Sequence, residues 1–154
     1  NQNSISLGYK YRLSNLLAAL GSSQLDQLNQ FIDRRRRVFK TYHKALSKTG
    51  LFKMNPNIKN RDNNYWLPYI TWDKGLGINK EDLVSFLKKN GADCRPFFYP
   101  LSSTPLFKKF KNKKNKVAYN ISEYGLCLPC SGRITKKEIL TISKLIIKFF
   151  ENAK

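Results

Sequence analysis

The sequence predicts an α/β fold, in which one long helix precedes a β-α-β-α-β-α succession and a small sheet is covered by helices. Three observations carry this expectation. Apolar residues recur at helical spacing from Ser14 to about Ser47. Three short runs rich in aromatic, β-branched or other apolar residues then alternate with amphipathic helical patterns. The chain has 154 residues, 41% of them hydrophobic, with 2 Trp, 8 Tyr and 10 Phe, which suffices for one ordinary domain core and excludes intrinsic disorder.

The first helix carries Leu13, Leu16, Leu17, Leu20, Leu28, Phe31 or Ile32, Phe39, Tyr42 and Leu46, with Gln24 as a polar exception. Ser14 or Asn15 serves as its N-cap and Gly50 as its stop. A helix of that length spans about 50 Å. That is too long for a chain of this size to cover, so it is expected to cross between domains or to pack on another subunit. Arg34-Arg35-Arg36-Arg37 fills every angular position of one turn, so part of it must face solvent or acidic partners.

A polar loop, Asn55 to Asn64, leads into Tyr65-Trp66-Leu67-Pro68-Tyr69-Ile70-Thr71-Trp72, a strand that Pro68 should push to a sheet edge. Asn79-Lys80-Glu81-Asp82 opens a helix with Leu83, Phe86 and Leu87 on its apolar face, closed by Gly91. Ala92 to Phe97 reads as a second strand and Phe98 to Leu106 as irregular. Lys108 to Lys116 holds six lysines in nine residues, a pattern of solvated loops for which phosphate binding is the alternative. Val117 to Tyr124 reads as a short helix ending at Gly125, followed by a third strand, Leu126-Cys127-Leu128-Pro129. Thr135-Lys136-Lys137-Glu138 is a capping box that starts a last helix with Ile139, Ile142, Leu145, Ile146 and Phe149 on its apolar face.

With 29 Lys+Arg against 10 Asp+Glu the net charge is +19, a field that attracts polyanions. Lysine outnumbers arginine 21 to 8, so much of this charge fits a solvated, lysine-biased surface as well as a binding role. No apolar stretch approaches the roughly 20 residues of a membrane span. Asn1 to Ser6 has neither the basic start nor the apolar core of a signal peptide, and no initiating Met is present; a processed, trimmed or excised piece of a longer protein is expected.

Self-contained catalytic motifs are missing. Gly75-Leu76-Gly77 leads to no phosphate loop, and with one histidine, His43, no Ser-His-Asp set can be assembled. Cys127-Leu128-Pro129-Cys130 has the C-x-x-C form, but a second such pair is absent and no four-ligand zinc set is supplied. Cys94, Cys127 and Cys130 are therefore expected as buried or half-buried free thiols in a reducing cytoplasm. Among the carboxylates, Asp93, beside a predicted strand, is the one placed for a site.

Gly8-Tyr9-Lys10-Tyr11-Arg12-Leu13-Ser14-Asn15, then Ala18-Ala19-Leu20-Gly21 and Gln24-Leu25, resembles the G-Y-N-Y-R opening of the DegT/DnrJ-type sugar aminotransferases. Tyr65-Trp66-Leu67, Arg95-Pro96-Phe97-Phe98-Tyr99-Pro100-Leu101, and Gly125-Leu126-Cys127-Leu128-Pro129 with Thr135 and Glu138 match later blocks of that family in order. These are fold-type I, pyridoxal-phosphate enzymes that act on nucleotide-linked keto sugars. The resemblance covers nearly the whole chain. It implies a linking or dimer-type helix with its preceding loop over residues 1–50, a small C-terminal α/β domain over 51–154, and a large cofactor-binding domain upstream and absent from this chain.

The resemblance also implies roles. The lysine that holds the cofactor is expected upstream, so no catalytic residue and no metal site are assigned here, and the isolated chain is expected to be inactive. Lys10, where the family has asparagine, and Arg12 are implied contacts to the cofactor phosphate of a neighbouring subunit; for Arg12 the alternative is a surface ion pair at a helix start. Arg95 and Tyr99 are implied to border the substrate, the alternative being a strand-end arginine packed on tyrosine. Trp66 is implied to line the sugar site, the alternative being a core aromatic. The implied enzyme is a cytoplasmic homodimer with shared active sites that moves an amino group from glutamate to a nucleotide-linked keto sugar, perosamine-like products being the expected class. Two rivals stand beside it: a basic nucleic-acid-binding module, which the lack of interleaved aromatic and basic residues on a strand argues against, and a non-catalytic homologue that binds a sugar nucleotide.

Overall fold

The computed structural model describes residues 12–111 and 115–152. Along the chain run α1 (Asn15–Leu25), α2 (Leu28–Leu46), β1 (Lys53–Met54), β2 (Tyr69–Thr71), α3 (Lys80–Lys89), β3 (Arg95–Pro96), α4 (Lys116–Glu123), β4 (Gly125–Cys127) and α5 (Lys136–Asn152). The α/β class stands as expected, and the sheet is antiparallel, in the order β1-β2-β4-β3.

The expected single long helix is divided. A turn at Asp26 and Gln27 separates α1 from α2, although Ser14 caps the start as anticipated, its hydroxyl accepting from the Leu17 N–H at 3.3 Å. The expected first strand is shortened to Tyr69–Thr71. Pro68 does not push it to an edge: β2 lies inside the sheet, and Pro68 precedes it with its carbonyl accepting from the Leu128 N–H at 2.8 Å. Proline has no N–H to return to the Leu128 carbonyl, so one bond is missing, but it is missing at the end of the ladder, where an interior strand tolerates it. The edges are β1, which the sequence pattern did not predict, and β3, whose Pro96 sits where an edge tolerates it. Short 3₁₀ turns at Leu101–Ser103 and Pro105–Phe110 occupy the segment expected to be irregular, and the second takes in the first lysines of the 108–116 run.

One sheet face is covered. Ile70 of β2 and Leu126 of β4 are opposite one another and fully buried against Tyr42 and Leu46 of α2, Leu83 and Leu87 of α3, and Ile139, Ile142, Ile146 and Phe150 of α5. Tyr42 also donates its hydroxyl to the Pro129 carbonyl at 3.1 Å, which fastens α2 to the segment after β4. The capping box forms as expected: Glu138 Oε2 accepts from the Thr135 N–H at 2.7 Å, and Thr135 Oγ1 accepts from the Glu138 N–H at 3.2 Å. Gly91 ends α3 at φ +78°, a left-handed turn that glycine adopts without strain. Gly125 answers a different need, since a Cβ there would collide with the Ile121 carbonyl oxygen at the junction of α4 and β4.

Candidate functional site

The opposite sheet face carries the expected substrate-side arginine. Tyr69, Cys127 and Arg95 stand opposite one another across β2, β4 and β3, so their side chains share a face. Phe97, two residues after Arg95, packs edge-on against Tyr69 with ring centroids 5.1 Å apart, and its N–H donates to the Gly125 carbonyl at 3.3 Å. Cys127 fills the middle of this row; burial pushes its thiol up to about 11, so it stays neutral and apolar between its two neighbours. Arg95 itself is exposed, and its side chain makes no hydrogen bond or ion pair among the described residues. The reading in which Arg95 is packed on a tyrosine finds no support in this geometry.

Trp66 projects from the loop before β2. Arg36 of α2 anchors that loop by an ion pair with Asp62 and by its Nε–H donating to the Asn63 carbonyl at 3.1 Å. Asn63 and Asn64 then turn the backbone through side-chain acceptors for the Tyr65 and Trp66 N–H groups, at 2.8 and 3.0 Å, while Tyr65, at φ +49°, stacks on Phe39 with centroids 3.8 Å apart. The Cys130 thiol donates to the Trp66 carbonyl at 3.2 Å. The backbone of Trp66 is thus held firmly while its ring is 58% exposed, which overturns the core-aromatic alternative.

Tyr99 sits at the other end of β4. Its ring lies over the Lys80 ammonium, 5.3 Å from Nζ to the centroid, and Lys80 Nζ donates to the Ser122 carbonyl at 2.8 Å in the last turn of α4. Arg95 and Trp66 therefore lie toward the Cys127–Cys130 end of β4 and Tyr99 beyond its Gly125 end; the structure does not gather the three into one pocket.

Arg12 is exposed, with no ion pair among the described residues, against the ion-pair alternative; Lys10 lies outside the described residues. Asp93 is exposed on a groove of about 580 Å³ between the end of α3 and the start of α5, with Arg133, Lys137 and Thr141, and none of Arg95, Tyr99 or Trp66 lines that groove. All three cysteines are free. Burial pushes the Cys94 thiol up to about 12, and raises that of Cys130 despite the nearby Arg35. Lys80 is the residue that sequence reasoning missed. A lysine opening a helix reads as surface, and nothing in its neighbours signals that its side chain is 6% exposed.

A family profile described as the DegT/DnrJ/EryC1/StrS aminotransferase family matches residues 1–146. The chain is 30% identical over 148 residues to EpsN of Bacillus subtilis, a pyridoxal phosphate-dependent aminotransferase by name, covering 94% of this chain and 38% of that protein. It is 27% identical over 146 residues to the GDP-perosamine synthase of Escherichia coli O157:H7, covering 95% and 39%. In fold it matches Helicobacter pylori PseC, an aminotransferase involved in pseudoaminic acid biosynthesis, with a TM-score of 0.80 at 23% identity over 96% of this chain and 40% of that one. The chain thus spans about two-fifths of the length of these relatives.

Proposed function

The chain belongs to the DegT/DnrJ/EryC1/StrS aminotransferase family, and from that premise we propose that it is the C-terminal, substrate-side region of an enzyme that converts a nucleotide-linked keto sugar to an amino sugar. The names of its relatives, GDP-perosamine synthase among them, support the substrate class. In this reading residues 1–50 link to a cofactor-binding domain upstream and residues 51–154 form the small domain. Glutamate is the amino donor, and the enzyme is a cytoplasmic homodimer with shared active sites.

The observation that carries the reading is the placement of Arg95: exposed at a sheet edge, in the R-P-F-F-Y-P-L block, with a neutral Cys127 opposite it and a half-buried Tyr69 one strand further on. Its planar guanidinium can hold two phosphate oxygens by parallel hydrogen bonds, and no carboxylate of the described residues competes for it. The exposed Trp66 ring offers a flat apolar surface to the sugar, and Tyr99 a hydroxyl and a ring edge. The arginine contact binds and orients phosphates that do not react, so it acts equally in the ground and transition states.

Pyridoxal phosphate, when bound, supplies the electron sink for the amino transfer. Lys10 and Arg12 fit its phosphate by charge, and the exposure of Arg12 leaves its guanidinium accessible to a neighbouring subunit. The testing experiment supplies the enzyme that contains this region with glutamate and a nucleotide-linked keto sugar and follows the product by mass spectrometry. A nucleotide-linked amino sugar is expected. Tight binding of the sugar nucleotide without conversion would establish the non-catalytic homologue instead, and strong, steeply salt-dependent binding to generic DNA the basic module.

A further inference from the structure

Lys80 is buried and the proposed chemistry does not use it. It is the first residue of α3, fixed there by Asn79, whose side chain caps the helix by accepting from the Asp82 N–H at 3.0 Å. An ammonium has three donors to satisfy. One goes to the Ser122 carbonyl at 2.8 Å, at the negative end of the α4 dipole. The carboxylate of Glu81 stands 3.8 Å away, beyond hydrogen-bond reach, and is itself 68% exposed. The remaining side of the ammonium is covered by the face of Tyr99.

Tyr99 needs this contact as much as Lys80 does. It lies between β3 and the 3₁₀ turn at Leu101, and neither Phe98 nor Tyr99 makes a backbone hydrogen bond among the described residues. Its ring is 53% exposed, so packing alone does not define its position. A cation held rigidly by two helices and set within 6 Å of the ring does.

We propose that Lys80 is a positioning residue, fixing the Tyr99 ring through a cation–π contact so that its outer face and hydroxyl are presented to the nucleotide-sugar. The role in substrate binding rests on the reading of Arg95 and Tyr99 given above, whereas the contact itself does not. Lys80 couples the start of α3 and the end of α4 to one substrate-side side chain.

Aromatic ¹H–¹³C spectra of the full chain labelled at tyrosine, with Tyr99 assigned from Tyr99→Phe, test the contact. In Lys80→Met the Tyr99 ring signals should move toward those of an unstructured tyrosine while those of Tyr42 and Tyr69 stay in place. Lys80→Arg, which keeps the charge, should retain part of the native shift. The reciprocal variant Tyr99→Leu alters an exposed side chain, so the fold is expected to survive, and it should displace the Lys80 side-chain resonances. Unmoved Tyr99 signals in a folded Lys80→Met, or unmoved Lys80 signals in Tyr99→Leu, would overturn the contact. In the enzyme that contains this region, Lys80→Met should raise KM for the nucleotide-sugar roughly 3- to 30-fold with little change in kcat, and Tyr99→Leu by at least as much. If Tyr99→Leu leaves KM unchanged, the substrate-side reading fails while the contact stands. If Tyr99→Leu raises KM and Lys80→Met does not, the positioning role is wrong.

Discussion

Helices α1 and α2 are nearly continuous in sequence, share one helical pattern and meet opposite fates. In α2, Val38, Tyr42 and Leu46 are buried in the core shared with the sheet and α5, and Phe39 is buried under Tyr65. In α1 no residue is buried, and Leu16, Leu17, Leu20 and Leu25 are each more than half exposed. The cause lies in how the apolar residues are arranged. Polar and charged residues of α2 leave one apolar stripe that this chain can cover, whereas Leu16-Leu17-Ala18-Ala19-Leu20 is apolar all round. A helix of that kind belongs in an interior or an interface. Regular spacing therefore establishes a helix without saying whether its partner is in the same chain.

The sharpest way to break this comparison is a pair of truncations. Leu46→Ala should cost about 2–5 kcal/mol in urea unfolding, because Leu46 is fully buried. Leu16→Ala should change the same transition by less than about 0.5 kcal/mol, as expected of an exposed position. Equal costs would mean that α1 is packed and the contrast false. Next in size is the effect on association. Sedimentation of the chain should reveal oligomers or aggregates, and Leu16→Glu with Leu20→Glu should drive it toward monomer. A clean monomer at high concentration that binds no apolar dye would contradict the interface role of α1.

The smallest expected effect comes from alkali. The thiols of Cys94 and Cys127 are pushed up to about 12 and about 11 by burial, and burial also raises Tyr42. The unfolded chain releases the thiol protons near 9 while the native one keeps them, so the unfolded state binds fewer protons and stability falls as pH rises from about 9 toward 11. The urea midpoint should drop over that range, and less so in Cys127→Val. None of these groups lies on α1, so its variants should leave the slope unchanged. An identical slope in wild type and Cys127→Val would show that Cys127 is not buried as described.

What was legible in the sequence was mostly local. Ser14, Asn79 and the Thr135–Glu138 box announced helix starts because their side-chain acceptors have one good use, and Gly50 and Gly91 announced stops because they take positive φ. The break at Asp26–Gln27 was not legible, since both residues also suit a helix interior. Two-residue strands such as β1 leave no periodicity to detect. Pro68 misled because the edge rule assumes that the proline lies within the strand, and here it stands at the very end of the ladder. At the site, Arg95, Tyr99 and Trp66 are all exposed, and the length of β4 decides that Tyr99 stands at the opposite end from the other two, which residue types do not encode. The burial of Lys80 depends on the end of α4 arriving more than forty residues later, which local spacing does not encode.

Steady-state kinetics of Arg95→Ala in the enzyme that contains this region test the central claim most directly. The Arg95 side chain is exposed and holds no partner among the described residues, so the variant should fold. Charge-assisted hydrogen bonds of about 1.5–3 kcal/mol each would be lost from a group that does not react. KM for the nucleotide-sugar should rise roughly 10- to 100-fold with a smaller change in kcat, the half-reaction with glutamate should stay nearly intact, and Arg95→Lys should recover only part of the loss. An alanine variant that unfolds, or that loses both half-reactions equally, would make Arg95 structural and remove the substrate side from this domain.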